Sequence, residues 1–258
     1  MPKKDVDQEL GHAAKMGDAA KVSELLAGGA DPRSCESEAL RGAAHNGHAE
    51  CVRMLLPVSD PKARKSEALR WAARHGHVEC LKLLLPVSDP KAEDSLALGW
   101  AAEKGREECV RLLLPASVPN ARESYALGWA AENGHAECVK LLLPVSNPKG
   151  GKSYALRLSA ENGHVECARL LLATSQPLIE IDGLLEDVMA AGRSKVAALL
   201  IEEEPGLLDG VDLSKCLAEA VEKEHVDLAS LLSSIIDRKE LSGIAPNRTA
   251  SSPRLARL

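Results

Sequence analysis

The chain has 258 residues, of which 45% are hydrophobic, and a formal net charge of -6 at neutral pH. It has no Phe, three Trp and two Tyr, so its core must consist mainly of Leu, Ala, Val and Cys. The negative charge argues against general nucleic-acid binding, which needs a basic surface to neutralise phosphates. We also expect no membrane span and no secretory signal, because no apolar run is long enough for either.

One unit of 29 residues repeats along most of the chain, and its clearest copy runs from Ser66 to Asp94. An Ala-Leu pair, a Gly and a Cys recur at this step. The cysteine copies are Cys51, Cys80, Cys109, Cys138 and Cys167. A fixed period of about 20 to 50 residues indicates a stacked array, in which each unit contacts only its neighbours. We therefore expect one elongated domain.

Each unit predicts two short helices. In the clearest copy, the first helix runs from Ser66, a candidate N-cap, to His75, and Gly76 ends it. The second covers 78–85 and stops at a proline. On its outer face, Glu79 is placed to pair with Lys82. Helices this short are marginal alone, so stacking must stabilise them.

The residues of this unit resemble the ankyrin repeat. The stretch 67–72, Glu-Ala-Leu-Arg-Trp-Ala, occupies the place of the family motif Thr-Pro-Leu-His-x-Ala. The stretch 75–79, His-Gly-His-Val-Glu, is similar to the family's Asn-Gly-His-Leu-Glu turn, and 133–137 matches it more closely. The resemblance implies an all-α, ankyrin-type helical solenoid of about eight stacked helix-turn-helix repeats.

The repeats also predict the organisation of the chain. We expect an amino-terminal tail at 1–5, a capping repeat at 6–36, five regular repeats at 37–181, two degenerate repeats at 182–236 and a basic, disordered tail at 237–258. Family repeats are usually longer by four residues, and the missing residues fall in the connector. We therefore expect short Pro-containing turns in place of the family's β-hairpin fingers.

Four His-x-x-Cys pairs, such as His77 with Cys80, could in principle ligate a soft metal. The resemblance instead implies that the histidine is a structural turn residue and that the cysteine stands where the family places an apolar residue. In one repeat Arg106 replaces the histidine. We expect reduced, buried thiols in a cytosol-like compartment. Outside the repeats no catalytic set or phosphate loop occurs, so we expect no enzyme activity, no cofactor and no metal.

Two sets of positions are candidates for recognition. Trp71, Trp100 and Trp129 share one position in three successive first helices, either packed between repeats only or also exposed to a partner. The residues before each Gly turn vary, although the scaffold around them hardly changes. By family resemblance they project into the concave groove, although solvated residues without function would look similar. These positions are His45, Asn46, Arg74, His75, Glu103, Lys104, Glu132, Asn133, Glu161 and Asn162.

The leading functional hypothesis is a monomeric, cytoplasmic, non-catalytic scaffold that binds a partner protein through this groove. Glu103, Glu132 and Glu161 would suit a basic segment of that partner. The alternative is an effector delivered into a host cell, with an array that recognises a host protein. In that alternative the basic tail, which carries five basic residues and one acid from Arg238 onward, serves for docking or sorting.

Overall fold

A computed structural model describes residues 3–175, 183–209 and 211–243. All regular structure in these ranges is helical, without a strand, as the repeat pattern predicted. The chain divides into two compact units, residues 1–182 and 183–258, where we had expected one elongated domain. A repeat array can divide between any two repeats because its contacts join nearest neighbours only.

The first unit consists of six helix pairs in a stacked array. Its helices are α1 (Lys3–Met16), α2 (Ala19–Ala27), α3 (Ser34–Asn46), α4 (Ala49–Leu55), α5 (Ala63–His75), α6 (Val78–Leu84), α7 (Ala92–Glu103), α8 (Glu107–Leu113), α9 (Ala121–Glu132), α10 (Ala136–Leu142), α11 (Gly150–Glu161) and α12 (Val165–Ser175). The odd-numbered helices pack successively against one another, and so do the even-numbered ones. The predicted helical solenoid is thereby confirmed. Helix α1 already begins at Lys3, so the predicted tail boundary at residue 5 falls inside this helix.

The core is built from the same few positions of every repeat. The Ala-Leu pair of the first helix and the Cys of the second are buried in each regular copy. Leu40, Leu69, Leu98, Leu127 and Leu156 are fully buried. Burying such a side chain stabilises the fold by roughly 1.5–3 kcal/mol. Each unit alone is too short to bury this surface, so the stability resides in the contacts between repeats.

A left-handed turn precedes the first helix of the regular repeats and corrects the predicted N-cap. In α5 the residues Arg64, Lys65 and Ser66 have φ of 49°, 59° and 58°, so the right-handed helix follows Ser66. The Ser66 side chain caps no helix. Its buried Oγ accepts a hydrogen bond of 2.8 Å from the backbone N–H of Asp89, in the connector of the same repeat. Equivalent bonds of 2.8–2.9 Å join Ser37, Ser95 and Ser124 to Asp60, Val118 and Asn147.

Ion pairs link these left-handed turns from one repeat to the next. Arg64 pairs with Glu36, Lys65 with Glu93, and Arg122 with Asp94 at 2.7 Å. In each pair the second turn residue of one repeat meets the first turn residue of the next. These pairs are largely exposed, so each contributes about 0–1 kcal/mol.

The connectors are short, as predicted. After α4, α6, α8 and α10 the chain makes a turn or a short 3-10 segment, as at Leu114–Ala116 and Leu143–Val145. Within the described residues no connector forms a β-hairpin finger.

The second unit contains two further helix pairs. Its helices are α13 (Leu184–Ala190), α14 (Ser194–Glu203), α15 (Leu213–Glu222) and α16 (Val226–Gly243). Helix α16 continues past the predicted start of the tail at residue 237. The predicted disorder of residues 244–258 lies outside the described residues.

Candidate partner-binding surface

In four repeats, a histidine immediately before the second helix fixes the position of the preceding repeat. Nε2 of His77 donates to the backbone oxygen of His45 at 3.0 Å, across 32 residues. The same bond joins His48, His135 and His164 to the oxygens of Lys15, Glu103 and Glu132. Arg106 stands in the histidine position of one repeat, and its Nε approaches the oxygen of Arg74 at 3.4 Å. The bonded oxygens belong to the ends of first helices, so this contact positions the predicted recognition residues.

The predicted recognition residues lie in the last two turns of the first helices or immediately after them, before the Gly turns. Half-buried among them are His45, Trp71, Arg74, His75, Trp100, Glu103, Trp129, Glu132 and Glu161, whereas Asn46, Lys104, Asn133 and Asn162 are exposed. Each of the three asparagines donates to the carbonyl four residues earlier, at 2.8–2.9 Å. These side-chain amides therefore cap the carboxyl ends of their own helices, and this structural role explains why asparagine stands there.

Trp71 and Trp100 belong to one cluster of stacked rings, which we call the upstream cluster. It consists of His45, Trp71, Arg74, His75 and Trp100. The Trp71 ring lies 5.3 Å from Trp100 and 4.7 Å from His45, centroid to centroid. His75 lies 4.6 Å from His45 and 5.7 Å from Trp71. The guanidinium of Arg74 lies over both indoles, at 5.6 and 5.0 Å.

Trp129 does not continue this stack but belongs to a second group, the downstream cluster, with Tyr125 and Tyr154. Tyr125 lies 5.6 Å from Trp129 and 6.4 Å from Tyr154. The Trp129 ring occupies the space beside Gly99, where a Cβ would lie 2.7 Å from its Cζ3. The tyrosines are more than a third exposed and were missed from the sequence. The sequence did contain a signal for them, because both tyrosines of the chain occupy the same position of the repeat.

Two of the three predicted groove carboxylates have cationic partners within the chain. Glu103 pairs with Lys104 at 2.7 Å, and Glu161 with Arg157 at 3.7 Å. Among the described residues, Glu132 has no ion-pair partner. The acidic character predicted for this end of the surface is therefore concentrated at Glu132.

The repeated cysteines are buried rather than presented as ligands or nucleophiles. Burial raises the pKa of Cys80, Cys109 and Cys167 to about 11 and that of Cys138 to about 12. The thiols are thus protonated at neutral pH. Over residues 3–175, 183–209 and 211–243 no three His, Cys, Asp or Glu side chains form a ligand set for a metal. Within the same ranges no helix is long and apolar enough to span a membrane.

The second unit has a cavity of about 310 Å³ between α13 and α15. Its lining includes Met189, Cys216 and Ala220, with Glu186 and Glu219 among the charged residues. No sequence pattern predicted this cavity, because these repeats are degenerate and their pattern does not show how far apart two helices lie.

The geometry is that of a helical repeat scaffold, with a regular core and a variable row of side chains along the first helices. A family model described as "Ankyrin repeats (3 copies)" matches residues 10–94, 59–123 and 98–182. The chain belongs to the ankyrin repeat family. Its repeats therefore form a module of a class that binds other proteins and is generally non-catalytic.

Solved structures show the same fold. The crystal structure of the human ASB11 ankyrin repeat domain is 24% identical to this chain, with a TM-score of 0.59. The match covers 66% of this chain and 84% of that one. A search of curated protein sequences returned no match.

Proposed function

We propose that the chain is a non-catalytic scaffold that binds a partner protein through the surface of its first helices. The observation that carries this proposal is the contrast between constant and variable positions. The Leu, Cys, Gly and turn histidines repeat with little change, whereas the half-buried positions beside them change from Arg and His to Glu. Two clusters of aromatic rings lie on the same helices, and Trp, Tyr and Arg are the residue types most enriched in binding hot spots.

Charge reversal on this surface tests the proposal. A triple variant E103K/E132K/E161K changes the ends of three successive first helices, and affinity capture with the intact chain measures which proteins it retains. The chain offers a matched control in E108K/E137K/E166K, on the second helices of the same three repeats. Those glutamates are 55%, 57% and 58% exposed and pair with Arg111, Lys140 and Arg169.

We expect the first-helix triple to lose a protein that the wild type and the control triple both retain. Circular dichroism establishes that both triples remain folded. If the two triples retain the same set of proteins, the first-helix surface is not the binding surface at these positions.

The delivered-effector alternative depends on the basic tail, and residues 244–258 lie outside the described part of the chain. A chain that ends at Gly243 separates the two hypotheses. Unchanged binding with altered localisation favours the effector, whereas unchanged binding and localisation favours a scaffold without a sorting function.

A further inference from the structure

Arg70 and Arg74 place two guanidinium groups on one indole at the upstream cluster. They lie one turn apart on α5, and their Cζ atoms are 5.5 and 5.0 Å from the centroid of the Trp100 ring on α7. Stacking on an aromatic face holds a guanidinium in a fixed orientation while its edge remains available for hydrogen bonds. The two donors are therefore preorganised beside each other.

Within the described residues, these two arginines differ from their neighbours because neither forms an ion pair with a carboxylate. Arg41 pairs with Glu67, Arg64 with Glu36, and Lys65 with Glu93. In the described part of the chain Arg74 has no ion pair and is partly exposed. Arg70 donates through Nη2 to the backbone oxygen of Arg64 at 2.8 Å, and its Nε is buried without a partner.

The other groups around the upstream cluster do not supply the missing negative charge. Burial and the charges of His45, His77, Arg74 and Arg106 lower the pKa of His75. The nearby carboxylates Glu67 and Glu93 already pair with Arg41 and Lys65. Both Lys65 and Arg70 lower the pKa of Glu93, and the effect of Lys65 is the larger. The site has an excess of hydrogen-bond donors and positive charge.

We propose that this site binds an acidic segment of a partner protein. A carboxylate of that segment would accept hydrogen bonds from Arg70 and Arg74, and a neighbouring side chain would pack against the edges of Trp71 and Trp100. Paired N–H···O bonds between a guanidinium and a carboxylate are among the stronger polar contacts in recognition. The inference rests on the proposed function and specifies which partner chemistry fits this half of the surface.

The same surface disfavours an extended polyanion such as a single-stranded nucleic acid. Arg and Trp could stack with bases. However, Glu103 and Glu132 follow on the next two first helices, and the chain as a whole has a net charge of -6. The fitting partner is therefore acidic only where it meets the two arginines of α5.

The three tryptophans of the chain allow a direct test by fluorescence. The variant W129F leaves Trp71 and Trp100 as the only indoles, both at the proposed site. At constant ionic strength, and with each quenching constant divided by the value for free N-acetyltryptophanamide, iodide should quench them at least about twofold more efficiently than caesium, because the arginines attract the anion. Adding R74Q should remove most of this preference, whereas R74K, which keeps the charge, should retain it. The control R111Q, on the outer face of α8, should change nothing.

A hexaglutamate peptide tests binding itself, with hexalysine and a six-residue oligothymidine as comparisons. We expect hexaglutamate to change the fluorescence in a saturable manner and R70Q/R74Q to lose at least tenfold in affinity while its circular dichroism stays unchanged. Equal normalised quenching by iodide and caesium, equal hexaglutamate affinity in R70Q/R74Q and R111Q, or tighter binding of the oligothymidine would each overturn the proposal. The proposed function would fail separately, through the capture experiment with the two glutamate triples.

Discussion

At the scale of single residues, the turn histidine of one repeat packs tightly against the turn glycine of the repeat before it. Gly134 has φ of 75°, and a Cβ there would lie 2.6 Å from Nδ1 of His164. Nε2 of that histidine donates to the oxygen of Glu132 at 2.9 Å. We expect G134A to lower the free energy of unfolding by about 2–4 kcal/mol, through backbone strain and displacement of the imidazole. Urea unfolding measures this loss.

A double-mutant cycle separates the two causes. With H164A already present, G134A should cost only the strain of the left-handed backbone, about 1–2 kcal/mol, so the two changes should be non-additive. Gly29 supplies the control, because its φ is 86° but a Cβ added there would have no other atom within 4 Å. The effects of G29A and H164A should add. Additive effects for G134A and H164A would mean that the histidine does not contact this turn tightly.

Another residue-scale prediction concerns pH. Burial lowers the pKa of His75 and, against the effect of its backbone hydrogen bond, that of His77. A histidine with a lowered folded-state pKa is protonated first in the unfolded chain. It therefore costs no stability above the unfolded value of about 6.5 and destabilises the fold as pH falls below that value. Replacing His75 by Gln should flatten the loss of stability between pH 7.5 and pH 5.5 in urea unfolding.

A pH dependence that is identical in H75Q and the wild type would show that His75 titrates alike in the folded and unfolded chains.

At the scale of elements, the left-handed turn reverses the usual order of helix propensities. Glu123 has φ of 58° within α9, where a residue with a Cβ is strained and Gly is not. We expect E123G to be more stable than E123A by about 1 kcal/mol. In an ordinary helix the order is the opposite, with Gly about 0.5–1 kcal/mol less stable than Ala. Thermal unfolding of the two variants measures the difference.

Glu108 on α8 is the control position for this comparison, because it is exposed and lies in an ordinary right-handed helix. E108A should be more stable than E108G. If Ala is also the better residue at position 123, the turn is not left-handed in solution.

This turn also shows where inference from the sequence reached its limit. The helix pairs, their Gly ends and the short connectors followed from periodicity, and the pairing of Glu79 with Lys82, at 2.9 Å, followed from spacing. Ser66 was misread because a serine before an apolar helix is the ordinary signal of an N-cap. Three consecutive left-handed residues with side chains have no propensity signal. Tertiary contacts, such as the hydrogen bond from Asp89 to Ser66, favour them.

The candidate surface was likewise predicted in its position but not in its detail. Repeat variation identified the ends of the first helices. It did not show that Trp129 leaves the row of tryptophans for the space beside Gly99, or that Lys104 pairs with Glu103. Those outcomes depend on side-chain packing across repeats 29 residues apart, which the pattern of one repeat does not contain.

At the scale of the whole molecule, the repeated cysteines report how the first unit opens. The five are 0–1% exposed, whereas Cys35 is exposed and Cys216 is half-buried. Labelling requires a thiolate that the reagent can reach, and the raised pKa of the buried thiols reinforces their protection. Mass spectrometry after timed alkylation at pH 8 should find Cys35 labelled first, Cys216 next and the five repeat cysteines much later.

Among those five, the order should follow position in the array. Stability in a repeat protein is close to a sum of unit and nearest-neighbour terms, so a repeat at the boundary of a compact unit should open more easily than an interior one. Cys167 lies in the last repeat of the first unit and Cys109 lies in its interior, so Cys167 should label before Cys109. In urea all seven should label at similar rates. One common rate for all five repeat cysteines in the native chain would instead mean that the first unit opens as a single cooperative block.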